Sequence, residues 1–585
     1  MSPSKTWLLR LAGLGVALGI LLGILSEGGK SCPIPLFHRA SAAGSLVTPA
    51  SEAPASGSAA AWRARWTHSL TKLRQEPSAL GPLSESPIRV EMARNEYESF
   101  QLVLIGESQS RRVRVSVGDL LHENQKASFP SDVVEIRRVH YVQTVKPDYP
   151  TAYVGAWPDA LPHAEYIDVP ANTVQPVWIT IGAPDALLPG VYAGPVTLID
   201  DQGHIEEMQI QVTVWDFSLP PRGHLATAFD FYRNRMEKAY REFVFNGQLW
   251  EGKFDLLQQL YYLDMLKHRL SPILNANPFG GSFGDTHALY QGLGLTAFAI
   301  GDFGGNQGPT GNDWPSDPIA FASAMEWYTE AAHILRTEGL LQDAYVYAFD
   351  EPKANDTRVI QVLQALKDAS LDLPTLVVMH EPVDPSTHGQ WLKNADILCQ
   401  RITSFDPEKA QAWAALGKTM WMYISSPVEG YPSLAIDEPA MHHRILPWLC
   451  WKVKAQGLLY WCVNFWEGDP SDNPASFAKD QNGNGFLYYP APEGPIPSIR
   501  LEVLRDGLED YEYLALLDEA LADAEARGNL DTALRDQAKA LLAIDDQIAR
   551  SLKSYGTSPD ALMRARRAIA ELIVKLQAPQ PGSLP

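Results

Sequence analysis

From Ile88 to about Val214 the chain alternates apolar and polar residues in short runs, IRVEM, SFQLVLI, RVRVSV, VWITIG, VTLID and IQVTVW, each bounded by turn residues. A period of two gives a strand one face for a core and one for water, so this stretch reads as all-β, a sandwich of two sheets. Pro189-Gly190 marks a tight turn into VYAGPVTLID, and Pro220-Pro221 closes the region as a hinge.

Beyond the hinge, short apolar runs alternate with longer segments of helical period. The runs are ATAFDFY (226–232), LSPILNA (270–276), LTAFAIGDF (295–303), AYVYAFDEP (344–352), TLVVMHEP (375–382), ADILCQR (395–401), KTMWMYIS (418–425) and GLLYWCVNFW (457–466). Eight strands separated by helices predict a (β/α)8 TIM barrel. From Glu502 to about Leu576 glycine and proline become scarce and the period stays helical, which predicts helices packed on the barrel. The expected division is a β-sandwich over 81–220, the barrel over 221–500 and the C-terminal helices over 501–578.

The N-terminus has a different character. Lys5 and Arg10 precede an apolar run from Leu11 to Leu25, the basic and hydrophobic parts of an export signal. At about 15 residues the run is short of the roughly 20 that span a bilayer, and an uncleaved membrane anchor stays open. Residues 1–42 are therefore expected to be a signal peptide or anchor of an exported protein (secreted, periplasmic or cell-surface). The Ser/Ala/Pro-rich residues after them, 43–80, are expected to form a disordered linker.

Composition narrows the function. A formal net charge of -21 argues against nucleic acid or anionic membrane surfaces as partners, since both need clustered basic groups. A glycan remains open, and 16 Trp and 22 Tyr offer rings for stacking on sugars, although a large core uses them too. Cys32, Cys399, Cys450 and Cys462 show no CxxC spacing, so neither a zinc site nor a disulfide framework is called for. Asp480 to Gly485 resembles the start of a calcium loop, but Ala491 stands where the bidentate Glu belongs. No metal or organic cofactor is expected, and the oligomeric state is not readable.

In a TIM barrel, catalytic groups sit at the C-terminal ends of the strands. Asp350-Glu351-Pro352 follows YVYAF at such an end. Adjacent carboxyls, with α-carbons about 3.8 Å apart, repel if both ionise in a dry pocket, so one pKa should rise, as a general acid requires. Asp437-Glu438-Pro439 repeats the tripeptide after no strand and before a helix, where a capping role suffices. Lesser rim candidates for substrate binding are Asp230, His380, Tyr423, Trp461, Asn464 and Trp466, with Glu381 a candidate cap beside them. Strand parity allows at most one of Trp461 and Trp466 to face inward. The acidic helix Glu509 to Glu519 reads as a solvated face with ion pairs to nearby Arg.

The strings RNEYESFQLVL (94–104), YAFDEP (347–352), MHHRILPWLCWKVKAQGLLYWCVNFW (441–466), GNGFLYYP and RLEVLRDGLEDYEYLALL, in this order, resemble glycoside hydrolase family 123. They are equally similar to the broader group of domains sharing its barrel, domain family 4091. The resemblance implies a sandwich followed by a barrel, and a retaining β-N-acetylgalactosaminidase whose nucleophile is the substrate's own acetamido carbonyl. Carried onto this chain, Glu351 would be the acid/base and Asp350 would orient the acetamido N–H. Two alternatives stay open: a glycosidase of this fold acting on another sugar, and a glycan-binding protein without catalysis.

Overall fold

The computed structural model describes residues 61–245, 254–274, 278–279, 283–301, 314–475, 477–528 and 530–578. The expected leader, 1–42, and the first part of the expected linker lie outside the described residues.

Two antiparallel-rich sheets form the N-terminal sandwich. One runs in the order Trp62–His68, Glu96–Gly106, Val174–Ala183, Val134–Arg138. The other runs Ile167–Val169, Arg111–Val117, Gly190–Asp200, Ile205–Ser218, Ile88–Arg94. Alternate residues of both, among them Phe100, Leu102, Leu104, Ile179, Ile210 and Val212, meet in a closed core, as the period of two requires.

The linker expectation fails over 61–80. Trp62–His68 is a strand, paired from Trp62 opposite Gly106 to His68 opposite Phe100. Trp62 and Ala64 are buried between exposed or half-exposed arginines, and the Trp62 indole donates to Asp200 at 2.9 Å. Reading WRARWTH as part of a low-complexity tail overlooks an alternation of its own.

Eight parallel strands form the barrel: Ala226–Asp230, Pro272–Ile273, Phe298–Ile300, Ala344–Asp350, Thr375–Met379, Ile397–Arg401, Thr419–Ile424 and Gly457–Tyr460. The ladder runs second, first, eighth, seventh and on down to the third, which leaves the barrel open only between second and third. Hydroxyls bridge that seam near its base. Ser271 Oγ lies 2.8 Å from Thr296 Oγ1 and 3.2 Å from Thr227 Oγ1, and the Thr227 amide donates to Thr296 Oγ1 at 3.0 Å. Inside, the lower layers are filled by Ala228, Ala299, Tyr345, Tyr347, Leu376, Val378, Cys399, Trp421 and Leu459. The bore is thus a packed core, and the opening for chemistry lies at the strands' C-terminal ends.

Helices Ile499–Ala526, Thr532–Leu542 and Pro559–Gln577 complete the chain. The first is not the solvated acidic helix expected. Glu502, Arg505, Asp506, Glu509, Asp510 and Glu512 are all buried. Arg444, from helix Ala440–Lys452, grips Asp510 at 2.7 and 2.9 Å and reaches Glu98 of the sandwich at 3.2 Å. Arg505 joins Glu502 at 2.6 Å, Asp506 at 2.7 Å and Ser99 of the sandwich at 3.1 Å. Arg566 binds Asp510 at 2.8 Å and Glu96. Gly507 lets the two helices close on each other: a Cβ there would stand 2.5 Å from the Arg444 carbonyl oxygen.

Asp437, expected to cap helix Ala440–Lys452, does not do so; Pro439 holds the N-cap position and no side chain caps it. The carboxylate is buried instead, accepting from Tyr149 Oη at 2.5 Å and Asn482 Nδ2 at 2.7 Å. Asn482 also holds both backbone groups of Val145, at 3.0 and 2.9 Å. Asn482, from the stretch that resembles a calcium loop, thus ties the loop after the eighth strand to the segment that follows strand His140–Gln143.

Removing one member of a buried, hydrogen-bonded ion network leaves its partners charged and unpaired, which costs about 3–5 kcal/mol. Arg444→Met is expected to lose that much unfolding free energy in urea titrations. Arg567→Ala, whose pair with Glu91 is half exposed, should stay within about 1 kcal/mol of wild type. Equal effects of the two would show that the buried network contributes no more than a surface pair.

Candidate active site

The fourth barrel strand ends in the two carboxyls singled out by the sequence. Asp350 is its last residue, and Tyr347, on the same inner face, donates its hydroxyl to Asp350 at 3.1 Å. Glu351 follows with φ of +45°, a left-handed conformation that residues other than glycine adopt sparingly. Its amide is anchored on the Val378 carbonyl of the fifth strand at 3.0 Å. From the seventh strand, Tyr423 donates its hydroxyl to the Glu351 carboxylate. The two adjacent carboxyls are thus each met by an inward tyrosine from a different strand.

Burial pushes the Asp350 carboxyl up to about 6, with Glu351 beside it adding to the rise and the Tyr347 hydroxyl opposing it. A second raised carboxyl, Asp230, sits at the end of the first strand. Burial lifts it to about 7 against the hydrogen bond from the Phe231 amide at 2.8 Å, and Asp350 adds to the rise. Tyr423 is held well above the ordinary phenol range, first by burial and then by its bond to Glu351. The barrel mouth therefore links these groups in sequence, Asp350 acting on Asp230, Glu351 on Asp350, and Tyr423 bonded to Glu351, the setting in which acid–base groups are tuned.

His380 and Glu381 come directly after the fifth strand and are exposed. The His380 Nε2 accepts from Arg401 at 2.7 Å, its Nδ1 lies 3.3 Å from Glu381, and Ser404 donates to its carbonyl at 2.6 Å. Arg401 ends the sixth strand, directly opposite Tyr423 in the ladder. It is absent from the sequence-based candidates, although its place at the end of ADILCQR is a signal of the same kind as theirs. Tyr347 is absent likewise, although it is in step with Tyr345 along YVYAFD.

The candidates on the eighth run part company. Its strand stops at Tyr460, so parity has no hold on the residues beyond it. Trp461 is half-buried at the mouth, donating to Asn484 Oδ1 at 3.0 Å, with the rings of Phe465 and Phe477 at 5.2 and 4.6 Å. Trp466 is not a wall of this mouth: it is 1% exposed, donates to the Tyr488 carbonyl at 2.9 Å and packs against Tyr261 in the outer core. Asn464 is not free to bind substrate either. Fully buried, it accepts from the Tyr232 amide at 2.8 Å and donates to the Tyr232 carbonyl at 2.9 Å. It fixes the turn that comes after Asp230.

Chemically, the mouth offers two adjacent carboxyls, one of them shifted toward neutrality, phenols that can donate, and an aromatic edge at Trp461. This is equipment for moving a proton and steadying positive charge on a polyhydroxylated substrate.

Comparison with known proteins agrees with this picture. No match was found among curated proteins. In solved structures the fold is shared with a family 123 glycoside hydrolase from Clostridium perfringens, with a TM-score of 0.66 at 14% identity over 88% of this chain and 100% of that one. A family 39 glycoside hydrolase from Bacteroides cellulosilyticus aligns at a TM-score of 0.32 and 10% identity, over 73% of this chain and 82% of the other. The family model of the glycoside hydrolase 123 catalytic domain matches residues 315–517 and that of the glycoside hydrolase 123 N-terminal domain residues 73–200, together more than half of the chain. With the sandwich, the barrel and the paired carboxyls in place, the chain belongs to glycoside hydrolase family 123.

Proposed function

We propose that this glycosidase removes a terminal β-linked N-acetylgalactosamine with retention, through participation of the substrate's acetamido group. The observation that carries the reading is the adjacency of Asp350 and Glu351 on one strand end, each met by its own tyrosine. A conventional retaining enzyme needs a nucleophile and an acid about 5–5.5 Å apart on opposite sides of the scissile bond. Neighbours in sequence at one strand end do not straddle a sugar ring. They can divide the labour differently. Glu351 protonates the leaving oxygen and then activates water, while Asp350 accepts the acetamido N–H and stabilises the oxazoline-like intermediate formed by the acetamido oxygen. Tyr423, the partner of Glu351, turns its hydroxyl to that oxygen when the sugar binds. Trp461 is the ring available to pack on the sugar.

A second reading has a specific observation behind it: Asp230 is a third carboxyl in the mouth, and in a two-carboxylate mechanism it would be the partner of Glu351. Its burial and its rise to about 7 keep much of it protonated near neutral pH, which suits a donor to a sugar hydroxyl better than a nucleophile. The related Clostridium perfringens enzyme is described for glycolipid glycan hydrolysis, so glycolipid oligosaccharides belong among the substrates to test. Export is part of the proposal and rests on the basic and apolar run before Leu25.

Three outcomes are expected. Release of 4-nitrophenol should be confined to β-N-acetylhexosaminides, with the galacto sugar preferred. Glu351→Gln should lower kcat/KM by about 10²–10⁴; cleavage of the β-galactoside, which lacks the acetamido group, would instead favour Asp230 as nucleophile. The kcat/KM profile should rise with pH through about 6, because Asp350 must be ionised to accept the N–H.

Stability responds in the opposite sense. An Asp raised from 3.8 to about 7 in the folded state burdens folding as pH climbs through that window, because the unfolded chain has already released the proton. Asp230→Asn should therefore gain in Tm over wild type between pH 4 and pH 8, by an amount equivalent to at most a few kcal/mol. A Tm difference that stays flat across this range would contradict the assignment of Asp230 as a neutral acid.

A further inference from the structure

We propose that Trp314 is a positioning residue for the carboxyl pair, acting through a bulge in the fourth barrel strand. The inference rests on the assignment of Asp350 and Glu351 as the catalytic pair. In this strand Tyr345 and Tyr347 face the barrel interior and Val346 faces the outer layer. Unbroken alternation would turn Phe349 inward and Asp350 outward, into the packing beneath the helices. The pairing with the fifth strand shows why it does not. Tyr347 lies opposite Leu376, but Phe349 lies opposite Val377 and Asp350 opposite Val378, so Ala348 is an extra residue. Ala348 and Phe349 both join the outer core. Asp350 returns to the side of Tyr347 and takes its hydroxyl.

A bulge breaks the ladder locally, and the carbonyl of Ala348 is met by a side chain. The Trp314 indole N–H donates to it at 2.7 Å. That indole is fixed: it is 2% exposed, and it stacks between Tyr328, at 5.6 Å and 26°, and Phe349, at 6.5 Å and 29°. Its own carbonyl is held by Arg358. Trp314 thus satisfies the bulge carbonyl and packs on the residue that the bulge displaces. Both contacts favour the register that brings Asp350, and with it the left-handed Glu351, to the mouth.

Trp314→Phe keeps a stacking ring and deletes the donor. On the N-acetylgalactosaminide, kcat is expected to fall tenfold or more with KM within about twofold, and the acid limb of the pH profile to move. Amide hydrogen exchange over 344–351 should quicken. Trp314→His, which retains a ring N–H, should recover part of kcat. Trp451→Phe removes an equivalent bond, from an indole to the Leu542 carbonyl at 2.9 Å, and should leave kcat, the pH limb and exchange over 344–351 unchanged. Should Trp314→Phe not fold, Arg358→Ala frees the backbone carbonyl of Trp314 and should show the same signature, about threefold in kcat. Wild-type kcat and exchange in whichever of Trp314→Phe and Arg358→Ala folds would overturn the proposal. Glu351→Gln, assayed alongside, separates the two levels. If it stays active the catalytic assignment falls, and exchange over 344–351, which needs no turnover, still decides whether Trp314 holds the bulge.

Discussion

The architecture depends on the charged groups buried along helix Ile499–Ala526. Taking a carboxylate or guanidinium out of water costs several kcal/mol per ion even after the protein relaxes. Here pairing meets part of the cost, and burial still holds the carboxyls of Glu98 and Glu509 up to about 8 and about 7. Arg444 directs its donors to Asp510, Glu98 and Asp506, Arg505 to Glu502, Asp506 and Ser99, and Arg566 to Asp510 and Glu96. The partners come from the sandwich, from the helix before the eighth strand and from the C-terminal helices. Such a network discriminates between packings more sharply than apolar contact can, because a slipped helix would strand several ions at once.

The same helix reaches the chemistry through Arg500. Its guanidinium takes Asp159, on the hairpin of His140–Gln143 and Ala156–Ala160, in a two-pronged pair at 3.0 and 2.9 Å. Its remaining nitrogen donates to the carbonyls of Leu434, Gly483 and Phe486 at 2.8, 2.9 and 2.6 Å. Those carbonyls belong to the loops after the seventh and eighth strands. Phe486 in turn bridges to Asn464, which clamps Tyr232, two residues beyond Asp230. One buried cation therefore braces three of the eight loops at the barrel mouth, where loops alone would be the more mobile part of the molecule.

Legibility in the sequence depends on the kind of pattern each feature leaves. Period two and eight spaced apolar runs point to the sandwich and the barrel, and strand ends point to Asp350, Glu351, Asp230 and Tyr423, because burial of apolar faces leaves its trace in order along the chain. Charged residues carry no such trace. EVLRDGLEDYEY has the composition of a wet helix, and only its partners in RNEYESF and MHHR, the former hundreds of residues away, show it to be buried. Those strings are nonetheless part of the family resemblance, which therefore leans on the scaffold's ion network at least as much as on the tripeptide Asp350-Glu351-Pro352. Trp466 and Asn464 are misplaced because the eighth run is read as one strand to residue 466, whereas the strand ends at Tyr460. Asp437 is misread because a cap and a buried carboxylate look alike in a tripeptide.

The bulge at Ala348 belongs to a further class, a one-residue slip that no periodicity announces. Its consequence is large, since it decides which side of the fourth strand carries the carboxyls. The mouth it creates is costly to the fold: Glu351 sits at positive φ, and Asp350 and Asp230 resist ionisation in a dry setting. Groups in such a state persist only where their surroundings over-determine them. Trp314 against the fourth strand, Asn464 beside the end of the first and Arg500 beneath the last two loops each fix backbone rather than touch the reacting groups. The chain has placed directional bonds one layer behind its carboxyls. Substitutions in that layer should therefore disturb the geometry of the mouth while leaving its carboxyls themselves intact.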